Sequence, residues 1–292
     1  MATTYKGLDV SQYQGNIDFA KVKAAGYTFV IIKAGYGRLA SQKDPYFEKN
    51  YTNAKAAGLN VGAYWYSYAS DANDAINEAN ACMEVIKGKT FEYPIYFDLE
   101  ESSQFAQGKS VCSKMVDNFC STLLKSKYYA GLYMSRYYLQ NYISSDIAKK
   151  YPLWVAEYGS KCNYDGDYGM WQYSSTGKVN GISGNVDMDT SYVDYKTIIK
   201  NGGYNGLKPD EKILDKSGYE KGDKTIGVLS MKQGLIIAKT KGLITQSVNN
   251  DNVFGDGTEK AVNQLLKKWG YKQNGIAGEN FIKKLGSVLN KK

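Results

Sequence analysis

The sequence predicts a mixed α/β fold in two parts: a small barrel over residues 1–200, then a compact helical bundle. Three observations predict it. Short apolar runs alternate with helical patterns through the first 200 residues, which implies parallel strands joined by crossovers. Eight such runs occur, enough to close a barrel whose last strands lack full helices; a doubly wound open sheet is the competing arrangement. Composition then changes sharply near residue 201.

The strand candidates are 8–10, 29–33, 61–66, 93–99, 129–133, 153–157, 170–173 and 186–188. Helical patterns fill the gaps between the first five, at 18–25, 46–57, 71–86 and 111–126. Of 27 tyrosines, 24 lie in residues 1–200. That half holds 21 Lys and Arg against 20 Asp and Glu, a net of +1, whereas the rest holds 16 against 9, a net of +7. The stretch NGGYNGLKP reads as a linker, placed at 201–212. Within 213–292, apolar spacing predicts helices at 228–241 and 258–269.

Histidine is absent. That excludes Ser-His-Asp triads, Cys-His nucleophiles and histidine zinc sites, so acid–base chemistry falls to carboxylates. Cys82, Cys112, Cys120 and Cys162 show no C-x-x-C spacing and read as reduced, mostly buried thiols. No metal and no cofactor is expected. The opening MATTYKGLDVSQ lacks the apolar stretch of a signal peptide, so synthesis in the cytoplasm without a standard export signal is expected. No segment approaches the roughly 20 apolar residues of a membrane span.

Active sites of parallel barrels form at the C-terminal ends of strands. Three acidic signals are expected there: Asp9 in GLDVSQYQG, Asp98 and Glu100 closing YPIYFDLE, and Asp187 in GNVDMD. Residues i and i+2 of a strand face the same way, about 6.5–7 Å apart, so Asp98 and Glu100 project into one space. Repulsion and desolvation should raise at least one of their pKa values. A carboxylic acid still protonated near neutrality is what glycosidic cleavage needs as its general acid. A lone D-x-E more often marks a solvated strand end; here it follows a five-residue apolar run, with two further aspartates at corresponding strand ends. Tyr64, Trp65, Tyr66 and Tyr68, with Tyr133, Trp154, Trp171 and Tyr173 near other strand ends, offer faces that stack on sugars. Alternation along a strand sends every second one to the core.

The stretches GLDVSQYQGNIDF, FVIIKAGYG, DPYFEKNYTNAKAAGLNVGAYWYSYA, YPIYFDLE, PLWVAEYG, MWQYSS and VDMD, in this order, give residues 1–200 a resemblance to glycoside hydrolase family 25. These are the lysozyme-like muramidases common among phage endolysins. The resemblance implies an irregular β/α barrel of five β/α units and three more strands. It implies hydrolysis of the β-1,4 bond between N-acetylmuramic acid and N-acetylglucosamine. By position, Glu100 resembles the proton donor, Asp98 its catalytic partner, and Asp9 and Asp187 the supporting acids. Lys33, Tyr64 and Tyr133 fall where the family contacts sugar; Tyr66, Trp154 and Trp171 join them as substrate-binding candidates, and Asp189 is read as structural. Two carboxylates approaching from one side suit substrate assistance, in which the sugar's own acetamido oxygen attacks the anomeric carbon. Asp9 or Asp187 as an opposite-face base is the competing arrangement.

In the second part, VFGDGTEKAV followed by GY and GIAG resembles the three-helix peptidoglycan-binding domain. Thr258 is expected at a helix start, capping free N–H groups. Leu265 and Leu266 depart from the family's usual aromatic and Gln. The +7 charge suits a polyanionic wall. The partners implied are bacterial peptidoglycan and anionic wall polymers; no recognition motif points to nucleic acid, and no membrane insertion is expected. The functional classes are an endolysin-type muramidase acting on the wall after release, an autolysin with the same chemistry, and a non-catalytic wall binder on an inactive barrel. The intact Asp98 and Glu100 favour an enzyme, because a binder gains nothing from crowded carboxylates.

Overall fold

The computed structural model describes residues 4–208 and 218–289. The chain divides into two compact units, Met1–Lys196 and Thr197–Lys292.

The first unit is a closed barrel of eight strands in sequence order: β1 (Tyr5–Val10), β2 (Phe29–Tyr36), β3 (Asn60–Tyr66), β4 (Ile95–Asp98), β5 (Ala130–Ser135), β6 (Leu153–Ala156), β7 (Met170–Gly177) and β8 (Val186–Ser191). Helices follow the first five strands: α1 (Phe19–Ala24), α2 (Phe47–Ala56), α3 (Ala72–Ile86), α4 (Ser102–Phe105) with α5 (Lys109–Lys125), and α6 (Arg136–Tyr142) with α7 (Ser145–Ala148). The predicted five β/α units and three further strands are present. The expectation of parallel strands fails at one place. Strands β1 to β7 pair in parallel, but β8 runs antiparallel to both β7 and β1. The reason is the connection: residues 178–185 make a short return, and a parallel crossover needs a dozen or more residues.

Strand alternation sorts the side chains. In β4, Phe97 points outward and stacks on Phe119 of α5 with centroids 4.3 Å apart, while Tyr96 points inward against Trp154 at 5.2 Å. Asp98 shares the parity of Tyr96 and so caps the barrel interior. Below it the barrel is filled by rings, with Phe29 stacked on Tyr93 at 4.2 Å. Glycine makes room for them: a Cβ on Gly7 would lie 2.2 Å from the Phe29 ring.

Outside the barrel, α3 and α5 pack against one another. Asp71 caps α3 by accepting from the backbone N–H groups of Asn73 (2.7 Å) and Asp74 (2.9 Å). Ala75, Ala79, Cys82 and Ile86 then recur at helical spacing on the buried face. All four cysteines are free thiols, and three are buried.

Glu78 lies in the same buried stripe of α3. One carboxylate oxygen accepts from the Tyr68 N–H at 2.8 Å; the other has no hydrogen-bond partner among the described residues. Burial pushes its carboxyl up to about 7. The folded state therefore holds this proton to higher pH than the unfolded chain, and stability present below the ordinary glutamate range is lost as pH rises through about 7. Glu78→Gln keeps the acceptor and removes the titration. It should melt higher than the parent near pH 8, by on the order of 2 kcal/mol in stability, with the gap closing near pH 4. Thermal melts at both values check this; a gap that does not change with pH would refute it.

Helix α8 (Tyr195–Gly202) begins two residues before the second unit and takes in Asn201 and Gly202, which were expected in the linker; linker residues 209–212 lie outside the described residues. Three helices follow in α9 (Ile226–Thr240), α10 (Asp256–Lys268) and α11 (Glu279–Leu289), with a two-stranded pairing of β9 (Gly218–Tyr219) and β10 (Ala277–Gly278). Thr225 caps α9 by accepting from the Val228 N–H at 3.2 Å. Thr258 does not cap α10 as expected. The helix begins earlier, at Asp256, so Thr258 is a buried residue of the first turn, and Asp256 and Glu259 complement the helix dipole instead. Leu265 and Leu266 are both buried and pack this unit's core. Among the described residues, no helix is long and apolar enough to cross a membrane.

Candidate active site

The acids converge on one mouth of the barrel from different directions. Asp98 reaches it at the C-terminal end of β4, and Glu100 follows just past the strand. Asp9 comes from β1 and lies in register with Asp187 of β8. The sequence reading placed Asp187 at a strand's C-terminal end; it is in fact the second residue of β8. Because β8 is reversed, its beginning lies where the other strands end.

Two layers can be distinguished. The deeper one is a hydrogen-bonded network. Asp9 is buried and accepts from Gln172 Nε2 at 2.8 Å. Gln172 Oε1 in turn accepts from the hydroxyls of Tyr133 (3.0 Å) and Tyr158 (3.3 Å). Asp189, fully buried, accepts from Trp154 Nε1 at 2.8 Å and lies against Asp9. Burial, followed by the neighbouring charges of Asp189 and Asp187, holds Asp9 well above the usual carboxylate range. Burial does the same to Asp189.

The upper layer carries Asp98 and Glu100. Asp98 is 4% exposed, and its Oδ1 has no hydrogen-bond partner among the described residues. Burial and then the Glu100 charge raise its pKa well above normal, against the opposing pull of Lys33. Solvent reaches Glu100, yet desolvation is still the largest influence and raises it, opposed chiefly by the positive charge of Lys33. The Lys33 ammonium sits 4.6 Å from the Tyr66 ring centroid and 5.9 Å from that of Tyr64. The Tyr66 hydroxyl donates to Glu101 at 2.7 Å. Behind it, buried Gln104 accepts from the Glu101 N–H (3.1 Å) and donates to Ser67 Oγ (2.9 Å), tying the end of β4 to the loop after β3.

The structure thus brings together Asp9, Asp98, Glu100, Asp187, Lys33, Tyr64, Tyr66 and Tyr133. Two substrate-binding candidates lie elsewhere. Trp154 is 2% exposed, enclosed by Tyr64, Tyr96 and Tyr133 inside the barrel, so no face is open to a ligand. Trp171 stands next to the inward-pointing Gln172 and so faces the other side of β7, where its Nε1 donates to the Glu157 carbonyl at 2.7 Å. Gln172, Glu101 and Gln104 were missed, since polar residues in strands and loops carry no periodic signal. Asp189 was read as structural, although its i+2 spacing from Asp187 places both on one face of β8. Among the described residues, no cluster of Cys, Asp or Glu has the arrangement of a metal site.

The sequence profile of "Glycosyl hydrolases family 25" matches residues 8–182. The autolytic lysozyme of Clostridium acetobutylicum is 32% identical over 289 residues, covering 96% of this chain and 81% of its own length. The solved structure of the CTP1L endolysin superposes with a TM-score of 0.58 at 30% identity, over 68% of this chain and 70% of that one. The modular autolysin LytC of Streptococcus pneumoniae, solved with a synthetic peptidoglycan ligand, gives a TM-score of 0.57 at 26% identity, over 64% of this chain and 46% of that one.

Proposed function

This chain belongs to glycosyl hydrolase family 25, and from that premise we infer that its acid-lined mouth hydrolyses the glycan strands of peptidoglycan as a muramidase, with Glu100 as proton donor. The observation that carries the assignment is the pairing of Glu100, raised in pKa but open to solvent, with the deeply buried Asp98. An acid that keeps its proton and still reaches the leaving oxygen suits general acid catalysis. Asp98 offers an unpartnered buried oxygen to the acetamido N–H of the muramic acid. That contact would turn the acetamido oxygen toward its own anomeric carbon, which is substrate-assisted retention. Asp9 is already committed to Gln172 and Asp189, which supports an anchoring role rather than that of an opposite-face base. Lys33, Tyr64, Tyr66 and Tyr133 form the sugar-contacting wall. The region after residue 200 holds the enzyme on the wall, supported by its net charge of +7.

The test is digestion of purified walls. New reducing ends should belong to muramic acid. Reducing glucosamine ends would make the enzyme a glucosaminidase, and new amino groups an amidase or peptidase.

A further inference from the structure

Beside the acids, the ends of β2 and β3 build a second concavity. Its volume is about 490 Å³, and Tyr36, Arg38, Leu39, Gln42 and Tyr68 line it. That size falls within the ~300–1,000 Å³ of small-ligand sites. The chemistry described above uses none of these side chains. Three of them present apolar surface to solvent: Leu39 is 61% exposed, Tyr68 56% and Tyr36 38%. Scattered exposed apolar residues are ordinary, but several sharing one concavity mark a binding surface.

The loop that carries them is built rather than slack. The Gly37 N–H donates to the Tyr66 carbonyl (3.1 Å), and Trp65 Nε1 donates to the Gly37 carbonyl (2.9 Å). The Leu39 N–H donates to Gln42 Oε1 at 2.9 Å, and the Asp44 N–H to the Ala34 carbonyl at 3.0 Å. Gly37 has a φ of +68°, and a Cβ there would meet the Gln42 side chain at 2.7 Å, so the turn requires glycine. A surface fixed before its ligand arrives pays less ordering entropy on binding.

Aromatic rings connect this concavity to the acid-lined mouth. The Tyr68 ring lies 5.2 Å from that of Tyr66 and 5.9 Å from that of Tyr36. Tyr66 bonds Glu101, the neighbour of Glu100. Arg38 borders the far side, with one guanidinium nitrogen on Asp74 at 3.1 Å. A guanidinium carries five N–H donors, more than that pairing uses.

We propose that this concavity is a distal glycan subsite, holding a sugar of the same strand beyond the two that flank the cleaved bond. Tyr68 and Leu39 pack against the ring's apolar face, and Arg38 donates to the carbonyl of its acyl substituent. The inference rests on the muramidase reading and adds a dependence on chain length.

The test uses the full-length Glu100→Gln protein, titrated calorimetrically with purified glycan fragments of two and of eight sugars. The longer fragment should bind about tenfold more tightly, as one well-stacked ring provides. Tyr68→Ala and Leu39→Asp, each added to that background, should remove the gain and leave the shorter fragment's affinity as it was. Tyr68→Phe should keep the gain, since the ring remains. No gain with length, or an equal loss for both fragments, would overturn the subsite. A parent enzyme that releases no muramic-acid ends from walls would sink the muramidase reading instead, a result that the titration does not mimic.

Discussion

Glu100→Gln protein is expected to bind walls as its parent does and to release reducing ends at a rate lower by about 10²–10⁴-fold, the usual worth of general acid catalysis. The chain holds no histidine to substitute, Asp9, Asp98 and Asp189 are buried, and Glu101 accepts from Tyr66, so none of these four takes over the proton. The pH profile gives an independent sign. Desolvation raises the Glu100 pKa, so activity should fall as pH rises through that shifted value, when the acid loses its proton. The variant should lack this limb in whatever activity remains. Retention of half the parent's turnover would remove Glu100 from the role. Because the variant degrades its ligand so slowly, it also suits a binding titration against salt. Attraction by the +7 half should weaken as ionic strength rises.

Asp98→Asn should cost about 10²–10³-fold in kcat, the scale seen when one preorganised polar group is removed from a developing charge. The amide preserves volume in a buried site but cannot take the charge that Asp98 carries when the proton of the coupled pair sits on Glu100. If Asp98 acts through the substrate's acetamido group, the penalty should largely vanish on de-N-acetylated glycan, where the parent is itself slow, because two losses on one interaction do not add. NMR of the first-formed product should show the β anomer. A full Asp98→Asn penalty on de-N-acetylated glycan, or prompt α product, would sink substrate assistance.

Much of this site was legible because carboxylates at strand ends stand out once histidine is gone. Asp98 and Glu100 follow an apolar run, and alternation alone places them over the barrel interior. Lys33 was named only by the family resemblance, and Tyr64 by that resemblance and by its place in the aromatic run YWYSY. The reversal of β8 was not legible: VDMD has the same composition in either direction, and only the shortness of the preceding turn carries the information. The misplacement of Trp171 has a related cause. Its parity on β7 follows from Gln172 pointing inward, and Gln172 is identified only by its contact with Asp9, 163 residues away in sequence. Trp154 was placed on the correct strand but at the wrong depth, because a strand's pattern says which way a ring points and not what closes over it. Thr258 shows that a capping residue type fixes a helix start only to within a turn.

The pairing of Asp9 with Asp187 also ties completion of the mouth to the order in which the chain is made. β1 is synthesised early, yet one of its two barrel partners is β8, which ends at Ser191. Until that strand emerges and zips against β1, the barrel has an open seam, and an emerging chain holds Asp9, Asp98 and Glu100 without the side of the mouth that Asp187 and Asp189 supply. Such a closure joins the ends of the domain over a long loop, the kind of contact that forms late and slowly. The acid-lined mouth is therefore complete only once the last strand of the barrel has paired with the first.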